Sequence, residues 1–311
     1  MDKNKIYDTV IIGGGPAGYT AALYGVRAGL NVVVLEKFSP GGQMTQTQKI
    51  DNYPGFDNGV DGFTLGFNMH QGAERFGAKT VKTEVLSADL STQPKVIATD
   101  SGMFYGRTVI VATGADHRHL GLENEAALIG KGVGYCAACD GMFFRGKTVA
   151  VVGGGNSAVS DALLLSKICK KVYLIHRRNS LRAEKIHSDA LMKAENVDFK
   201  WNCSVKKFIF EEKLTGADIG FTDGRVDRLE LDGIFISIGR TPNTQMLKGQ
   251  LELDSGGYII ADESTCTNID GVFAAGDVRT KTVRQIVTAA ADGAVAAHYA
   301  HEYISKDTEV L

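Results

Sequence analysis

No apolar run in the 311-residue sequence approaches the length of a membrane-spanning segment. Residues 1–8 are polar, and the apolar run at 9–12 stops at three glycines, which is too short for the core of a signal peptide. The sequence also lacks an excess of basic residues, since 34 Lys and Arg stand against 36 Asp and Glu. Nucleic-acid binding needs a concentrated basic surface. We therefore expect a soluble cytoplasmic protein that binds neither membranes nor nucleic acids.

Cysteine is scarce, with five residues in the whole chain, and this odd, low number argues against a secreted disulfide framework. Cys169, Cys203 and Cys266 are far apart in sequence, and we predict that they are small buried core residues. Cys136 and Cys139 form a Cys-x-x-Cys pair that occurs once, which is typical of a metal site or a redox couple. A structural zinc site usually needs a second such pair or suitably spaced histidines, so the redox couple is favoured.

Glycine, by contrast, is abundant, with 37 residues, and many of them cluster in the loops described below. Hydrophobic residues make up 44% of the chain and charged residues 23%, which is ordinary globular composition. The length is sufficient for two domains, each with a sizeable core.

The first glycine cluster has the G-x-G-x-x-G spacing of a dinucleotide-binding loop. Residues 6–12 form a short apolar run that predicts a buried strand, and Gly13, Gly15 and Gly18 follow it. Gly13 permits the tight turn, Gly15 lets the backbone approach a pyrophosphate, and Gly18 brings helix and strand together. A glycine turn without a ligand is the alternative interpretation.

The residues that flank this loop favour the nucleotide-binding interpretation. Pro16 suits the first turn of a helix, and Ala17 begins a run of helix-forming residues. The helix N-terminus offers free N–H groups and a positive dipole end to phosphates. A second strand at 31–35 leads to Glu36, where an acid can bind the ribose hydroxyls.

A second fingerprint lies near the middle of the chain. A strand is predicted at 148–152, Gly153, Gly155 and Ala158 repeat the spacing, and a helix is predicted at 157–167. The chain therefore contains an internal repeat of fold rather than of close sequence.

The two fingerprints differ in the residue that faces the ribose. Glu36 follows the start of the first loop by 23 positions, and the same count from the second loop reaches His176 instead of an acid. Three arginines follow it, namely Arg177, Arg178 and Arg182. Guanidinium groups bind a 2′-phosphate that a carboxylate would repel, so we infer FAD at the first site and NADPH at the second. A solvated basic turn is the alternative for the arginines.

The cysteine pair is followed directly by an acid, Asp140. A carboxylate beside a thiol pair can shuttle the proton that moves when a thiolate forms. Asp140 is also a candidate helix N-cap, and one side chain can serve both roles at different moments.

Together these motifs resemble the low-molecular-weight thioredoxin reductases of the bacterial flavoprotein type, over essentially the whole chain. The most specific segment is Cys-Ala-Ala-Cys-Asp-Gly at 136–141, which is similar to the redox signature of that family. The resemblance implies a catalytic set of Cys136, Cys139 and Asp140. It also implies NADPH contacts at Gly153, Gly155, Asn156, Ser157, His176, Arg177, Arg178 and Arg182.

The resemblance further assigns flavin contacts along the chain. It implies that FAD is bound by Gly13, Gly15, Pro16, Ala17, Glu36, Gly42, Gln43, Asn52, Thr113, Gly114, Gly276, Asp277, Arg284, Gln285 and Ile286. Asp277 is expected to contact the ribityl chain. Because flavin motifs lie near both ends, with the nicotinamide motif between them, the chain is predicted to have a split domain.

We therefore predict an α/β fold with two Rossmann-like three-layer domains, the second inserted into the first. The FAD-binding domain is predicted at 1–115 and 246–311, and the NADPH-binding domain with the dithiol at 116–245. The predicted connections between the domains are 113–119 and 239–243, which contain Gly and Pro. Alternating β-rich patches between 81 and 98 predict a small antiparallel meander on the first domain.

The resemblance implies a homodimer in which the inserted domain alternates between two orientations. A steric reason supports this, because nicotinamide and the disulfide compete for the flavin while the disulfide must also reach a protein partner. The predicted function is transfer of electrons from NADPH through FAD and the Cys136–Cys139 disulfide to thioredoxin.

Several alternatives to this function remain at the level of sequence. The main one is a related flavin disulfide reductase that acts on another thioredoxin-like protein. A peroxide-reducing flavoprotein is expected to carry an extra N-terminal module, which does not fit before the strand at Ile6. A flavin NADP reductase serving ferredoxin lacks the dithiol, and a ferredoxin-driven reductase is expected to lose the second fingerprint. A non-catalytic NADP sensor with a zinc pair is the alternative from another class.

Overall fold

The computed structural model describes residues 5–47 and 49–309. The chain forms two compact units, of which the first comprises Met1–Asp116 and Thr241–Leu311 and the second comprises His117–Arg240. The sequence-based boundaries are at 115/116 and 245/246. The ends of the predicted FAD-binding domain, at 1–4 and 310–311, lie outside the described residues, as does residue 48.

In chain order, the strands are β1 (Ile6–Ile12), β2 (Val32–Glu36), β3 (Lys79–Lys82), β4 (Val85–Asp89), β5 (Lys95–Thr99), β6 (Gly102–Val111), β7 (Ala115–His117), β8 (Val133–Gly134), β9 (Thr148–Val152), β10 (Lys171–Ile175), β11 (Val197–Lys200), β12 (Cys203–Phe210), β13 (Leu214–Phe221), β14 (Val226–Glu230), β15 (Gly233–Ile236), β16 (Arg240–Pro242) and β17 (Val272–Ala274). The α-helices are α1 (Pro16–Arg27), α2 (Gly62–Arg75), α3 (Ala137–Asp140), α4 (Asn156–Ser166), α5 (Lys185–Met192) and α6 (Ile286–Glu309).

The first unit is built on a sheet with the strand order β3-β2-β1-β6-β5-β4, in which β17 also pairs with β6. The pairs of β1 with β2 and β6, and of β6 with β17, are parallel, whereas β4, β5 and β6 form an antiparallel meander. The long strand β6 serves both parts, because its N-terminal half pairs with β5 and its C-terminal half pairs with β17. The meander predicted from sequence is present as β4 and β5.

Both faces of this sheet are covered, which explains why its central strands are continuously apolar. Ile11 and Val34 belong to a buried cluster that includes α1 and α6. Val10 and Val33 belong to a second cluster, which includes residues of the segment 246–261. Neighbouring residues of a strand point to opposite faces, so each strand contributes to both clusters.

Helices α1 and α6 approach closely because glycine stands where they cross. A Cβ atom built on Gly293 would collide with the carbonyl oxygen of Ala17. The C-terminal helix therefore packs directly on the helix that follows the first glycine loop.

The second unit repeats the arrangement with a parallel sheet of order β11-β10-β9-β15-β8. Val149 and Val151 face a cluster that includes α4 residues and Leu191 of α5. Ala150 and Val152 face a cluster formed with the antiparallel sheet β12-β13-β14. The fold is therefore α/β with two three-layer Rossmann-like units, as predicted. In the segments where the chain passes between the units, β7 and β16 pair with each other.

Candidate active site

The first glycine loop follows β1 and requires glycine for two separate reasons. Gly13 has a φ of 106°, and a Cβ atom there would lie 2.5 Å from the carbonyl oxygen of Ala112. A Cβ atom on Gly18 would collide with the carbonyl oxygen of Gly13. The loop therefore turns tightly and lets α1 approach the sheet.

Gly15 has a different environment, because no atom lies within 4 Å of the position that its Cβ would take. Gly15 is the N-cap of α1 and provides no side-chain hydrogen bond to the helix, while Pro16 occupies the first turn. The N-terminal N–H groups of α1 thus open onto a space that a larger side chain would fill. Such a cradle fits a diphosphate group.

The carboxylate of Glu36, at the end of β2, lies beside this loop. It accepts a hydrogen bond of 2.6 Å from the N–H of Gly14 and one of 2.8 Å from the N–H of Phe38. The side chain is buried. Glu36, the acid predicted from sequence to bind the ribose hydroxyls, therefore lies beside the loop and fixes its backbone.

The segment at Gly42 and Gln43 packs against the same loop. The N–H of Gly41 donates to the carbonyl oxygen of Gly14 over 2.8 Å, and a Cβ on Gly42 would lie 3.2 Å from the Cα of Gly15. The side-chain amide of Gln43 donates to the carbonyl oxygen of Ala115 over 2.8 Å and to Asp116 over 2.9 Å. The predicted contacts at positions 42 and 43 are therefore brought next to those at 13–17.

Asn52 and Gln285, two predicted flavin contacts that are distant in sequence, meet in the structure. The side-chain amide of Asn52 donates to the side-chain oxygen of Gln285 over 3.0 Å. Ile286 begins α6 and packs against a small cluster of Met44, Ile50 and Leu65. The residues after β2 and those before α6 therefore form one surface of the first unit.

Thr113 and Gly114 contact a residue that the sequence interpretation did not include as a site residue. Asn243 donates through its side chain to the carbonyl oxygen of Thr113 and through its backbone N–H to that of Gly114, over 3.1 and 3.0 Å. The hydroxyl of Thr113 donates to the carbonyl oxygen of Asn243 over 2.7 Å. Asn243 lies in a predicted connection, and no spacing pattern singles it out.

The C-terminal motif places Gly276 and Asp277 in a short 3-10 helix, Gly276–Val278. Gly276 has a φ of 81°, and its Cβ would lie 3.0 Å from the Cβ of Ala17, so this turn packs against the start of α1. The guanidinium group of Arg284 lies 4.2 Å from the ring centre of Tyr258. All the predicted FAD residues thus belong to the first unit.

The second glycine loop also contains one glycine that its backbone conformation requires and one whose Cβ position is open. Gly153 has a φ of 149°, and a Cβ there would collide with the carbonyl oxygen of Ser237. Gly155 is the N-cap of α4 without a side-chain cap, and its Cβ would meet no atom within 4 Å. This loop also fits a diphosphate.

Asn156 and Ser157 lie in the exposed first turn of α4. The backbone N–H of Glu184 donates to the side-chain oxygen of Asn156 over 2.8 Å, and the Asn156 amide donates back to the carboxylate over 3.3 Å. Glu184 was not among the predicted site residues. It ties the first turn of α4 to the segment that carries Arg182.

His176 and the three arginines occupy different environments. The His176 ring is buried beneath the loop, where a Cβ on Gly154 would collide with it. Burial, together with the neighbouring arginines, lowers the pKa of His176, so the ring is neutral at neutral pH. His176 therefore supports the loop from below in this structure, whereas the arginines are exposed.

The arginines form an exposed positive patch at the end of β10, at Arg177, Arg178 and Arg182. Among the described residues, none of the three forms an ion pair with a carboxylate. The backbone N–H of Arg182 donates to the carbonyl oxygen of Gly154 over 2.7 Å, which fixes this patch beside the glycine loop. An unneutralised cluster at this position suits a phosphate.

Cys136 and Cys139 form a disulfide, with an S–S distance of 2.14 Å. Cys136 is the N-cap of the short helix α3, and its carbonyl oxygen accepts the N–H groups of Cys139 and Asp140. Burial raises the pKa of Asp140 to about 6. Asp140 stands at the N-cap position of the next 3-10 helix, Gly141–Phe144, but its side chain makes no capping bond there. The carboxyl group can therefore exchange a proton near neutral pH beside the disulfide.

The prediction for the other three cysteines is correct for two of them. Cys169 and Cys203 are buried, and burial raises the pKa of each thiol to about 11. Cys266 is exposed, so its assignment to the core is wrong. It follows a turn held by Ser264 rather than a strand, and composition alone does not distinguish these settings.

A polar cluster directly before the disulfide escaped the sequence interpretation. The hydroxyl of Tyr135 donates to the carboxylate of Glu125 over 2.6 Å and lies 2.6 Å from Nδ1 of His119. Burial would raise the pKa of Glu125, but hydrogen bonds from Tyr135 and three backbone N–H groups lower it. The cluster anchors the residue that precedes Cys136.

The comparisons with known proteins give a consistent family. The sequence model of a family described as pyridine nucleotide-disulphide oxidoreductase matches residues 7–293. The chain is 44% identical to the thioredoxin reductase of Listeria monocytogenes over 311 residues, covering 99% of this chain and 97% of that protein. It is 40% identical to the thioredoxin reductase of Bacillus subtilis, covering 100% and 99%.

Among solved structures, the thioredoxin reductase of Streptococcus pyogenes matches with a TM-score of 0.92 at 42% identity, over 97% of this chain and 99% of that one. The thioredoxin reductase of Giardia duodenalis matches with a TM-score of 0.92 at 34% identity, over 97% and 100%. Within the described part of the chain, no helix is both long enough and apolar enough to cross a membrane.

Proposed function

Because the chain belongs to the pyridine nucleotide-disulphide oxidoreductase family, we propose that it reduces the disulfide of thioredoxin with electrons from NADPH. The observation that carries this function is the Cys136–Cys139 disulfide, which lies in the same unit as the second glycine loop and is followed by a half-buried acid. Full-length similarity to thioredoxin reductases supports the same conclusion.

FAD and NADPH are the cofactors of this enzyme class, and the two glycine loops fit them. We propose that the first unit is the FAD-binding domain and that its contacts are those assigned by the resemblance. The open position at Gly15, the acid Glu36 and the pair Asn52–Gln285 support this assignment. FAD held by these residues would supply a hydride acceptor for NADPH and a two-electron donor for the disulfide.

We propose that the second unit binds NADPH through Gly153, Gly155 and the first turn of α4. The exposed arginine patch provides guanidinium groups for the 2′-phosphate, and Arg182 is held against the loop by its backbone. His176 acts as the support of the loop, since its ring is packed beneath Gly154.

The disulfide then undergoes a balanced exchange. Two electrons and one proton convert the Cys136–Cys139 bond into one thiol and one thiolate, and the half-buried carboxyl of Asp140 supplies the proton. The thiolate attacks one sulfur of the thioredoxin disulfide, which forms a mixed disulfide and displaces a thioredoxin thiolate. The second cysteine passes its proton to that thiolate and attacks the mixed disulfide. This step restores the Cys136–Cys139 bond and releases reduced thioredoxin.

We also propose that the protein is a homodimer in the cytoplasm. The product of the proposed reaction is a dithiol, which persists in a compartment where thiols are kept reduced, and this supports the cytoplasm.

The dimer is supported by exposed apolar side chains. Phe63 and Phe67 of α2 stack on each other and are exposed, as is Tyr24 of α1, and a second copy would cover such side chains. Sedimentation equilibrium of the full chain gives the mass of the assembly, and a monomer at all concentrations would contradict the dimer.

An anaerobic titration tests the proposed reaction. NADPH should bleach the flavin absorbance of the purified holoenzyme, and oxidised thioredoxin should then restore it. Thioredoxin whose active-site cysteines are replaced is the matched control, and it should leave the flavin bleached. A colourless chain that does not retain added FAD, or a reduced flavin that thioredoxin does not reoxidise, would contradict the proposal.

A further inference from the structure

A buried carboxylate on α6 holds the turn of the C-terminal flavin motif. Asp292 is 6% exposed and accepts the N–H of Gly276 over 2.9 Å. It accepts two hydrogen bonds of 2.8 Å each from the guanidinium group of Arg279, and one of 2.7 Å from Nζ of Lys281. One side chain thus fixes three positions of a segment that lies before its own helix.

The charges of this group do not cancel. The side chains of Arg279 and Lys281 are buried, and together they face the single buried carboxylate of Asp292. Glu263 lies 3.5 Å from Arg279 but is 98% exposed, so water screens its charge. Burial would raise the pKa of Asp292, but the hydrogen bonds from Arg279 and Lys281 lower it, and the carboxyl is ionised at neutral pH. The cluster therefore has one excess positive charge.

The same cluster extends to the other end of the motif. The carbonyl oxygen of Arg279 accepts a hydrogen bond of 3.4 Å from the guanidinium group of Arg284. Nζ of Lys281 also donates to the carbonyl oxygen of Thr288 over 3.3 Å. The segment from Gly276 to Arg284 is thereby tied to the first two turns of α6.

Stability alone is a poor reason for such a cluster, because desolvation of buried ions offsets much of their attraction. We propose that Asp292 is a positioning residue for the flavin. Its carboxylate holds the 276–284 segment in the conformation that binds FAD. The inference rests on the proposed FAD site and adds a residue outside the motifs that predicted it.

The test compares Asp292→Asn and Arg279→Lys with the wild type. Apoprotein is prepared from each, and the Kd of FAD is measured by quenching of flavin fluorescence. The apoprotein Tm is measured with and without FAD, and the Kd of NADP⁺ reports on the second unit. Glu302→Gln is the matched control, because Glu302 lies on the same helix in an exposed pair with His298.

For Asp292→Asn we expect the Kd of FAD to rise at least about tenfold and the Tm increase given by FAD to shrink, because bound ligand stabilises in proportion to its affinity. Arg279→Lys keeps the charge but loses the forked contact, and it should raise the Kd at least about threefold. The Kd of NADP⁺ and the behaviour of Glu302→Gln should be unchanged.

Equal losses of Tm with and without FAD, together with an unchanged Kd of FAD, would show a merely structural role and overturn the proposal. If Asp292→Asn does not fold, Arg279→Lys decides by the same two readouts. Failure of the wild type to bind FAD would instead count against the proposed function, so the two failures are distinguishable.

Discussion

The side-chain amide of Asn52 donates a 3.0 Å hydrogen bond to the side chain of Gln285, which lies 233 positions away in sequence. Both residues are flavin contacts predicted from sequence. The bond joins the segment after the first glycine loop to the start of the C-terminal helix. It therefore provides a direct way to perturb the proposed FAD site without altering the core.

Replacement of Asn52 by Ala should weaken FAD binding about fivefold, since one hydrogen bond contributes about 1 kcal/mol. The Kd of FAD for the apoprotein is the measurement. Asn58→Ala, at an exposed position in the same loop, is the control and should bind FAD as the wild type does. An unchanged Kd in Asn52→Ala would remove this pair from the flavin site.

Gly15→Ala should separate ligand binding from folding. The new Cβ meets no protein atom within 4 Å, so the fold should be retained, but it occupies the space proposed for the diphosphate. We expect FAD affinity to fall at least about tenfold, or about 1.4 kcal/mol, with an apoprotein Tm within a few degrees of wild type. Gly72→Ala is the control, because that helical position is also open and lies outside the loops. Full FAD affinity in Gly15→Ala would show that the space is not used.

Cys136→Ser and Cys139→Ser should each abolish thioredoxin reduction and spare slow oxidation of NADPH by the flavin. Either change removes one sulfur of the redox couple, whereas the nucleotide loops remain intact. The two activities are measured in parallel, by insulin or thioredoxin-disulfide turnover and by NADPH consumption in air. Cys266→Ser is the control, because that thiol is exposed and should be dispensable. Thioredoxin reduction that survives in either active-site variant would refute the role of the pair.

The arginine patch should determine the preference for the phosphorylated nucleotide. Removal of Arg177 or Arg178 should raise the KM for NADPH about tenfold and leave the KM for NADH unchanged, since only NADPH has the 2′-phosphate. Arg228→Ala is the control, because this exposed arginine of the same unit is already paired with Asp218. If both KM values change together, the patch does not recognise the phosphate.

Asp140 should make stability depend on pH in a defined direction. Burial raises its folded-state pKa from 3.8 to about 6, so the folded state favours the protonated form. Asp140 therefore contributes about 3 kcal/mol to the free energy of unfolding below about pH 3.8, and this contribution is lost as the pH rises through about 6.

Asp140→Asn should lack this pH-dependent term, so its stability relative to the wild type should increase between pH 4 and pH 8. Urea unfolding of both proteins at each pH gives the difference, which cancels the titration of other groups. A constant difference across this range would show that the Asp140 carboxyl is not buried as described.

Much of the fold follows from local sequence. The strands at 6–12 and 148–152 have the predicted bounds, because apolar β-branched runs before a glycine turn leave few alternatives. Helix α1 begins at Pro16 as predicted, whereas α4 is shifted by one residue, since it spans Asn156–Ser166 and not 157–167. The antiparallel sheet β12-β13-β14 was not predicted, because its exposed face mixes polar and apolar residues without a clean alternation.

The site was less accessible to sequence reasoning where contacts span the chain. Fingerprints reveal Gly13 and Gly153 because backbone geometry restricts those positions to glycine. Asn243 and Asp292 act through side-chain hydrogen bonds to residues that are distant in sequence, and no local pattern encodes such a bond. The burial of His176 likewise depends on the glycine loop folding over it.

The pairing of β17 with β6 and the crossing of α6 over α1 have a consequence for synthesis on the ribosome. The N-terminal segment cannot bury its sheet until about the last forty residues have emerged from the ribosome. Those residues include β17, which pairs with β6, and α6, which covers one face of the sheet. The inserted segment contains all of its own core and can fold earlier. A nascent chain paused before β17 should therefore contain a protease-resistant middle and a digestible beginning.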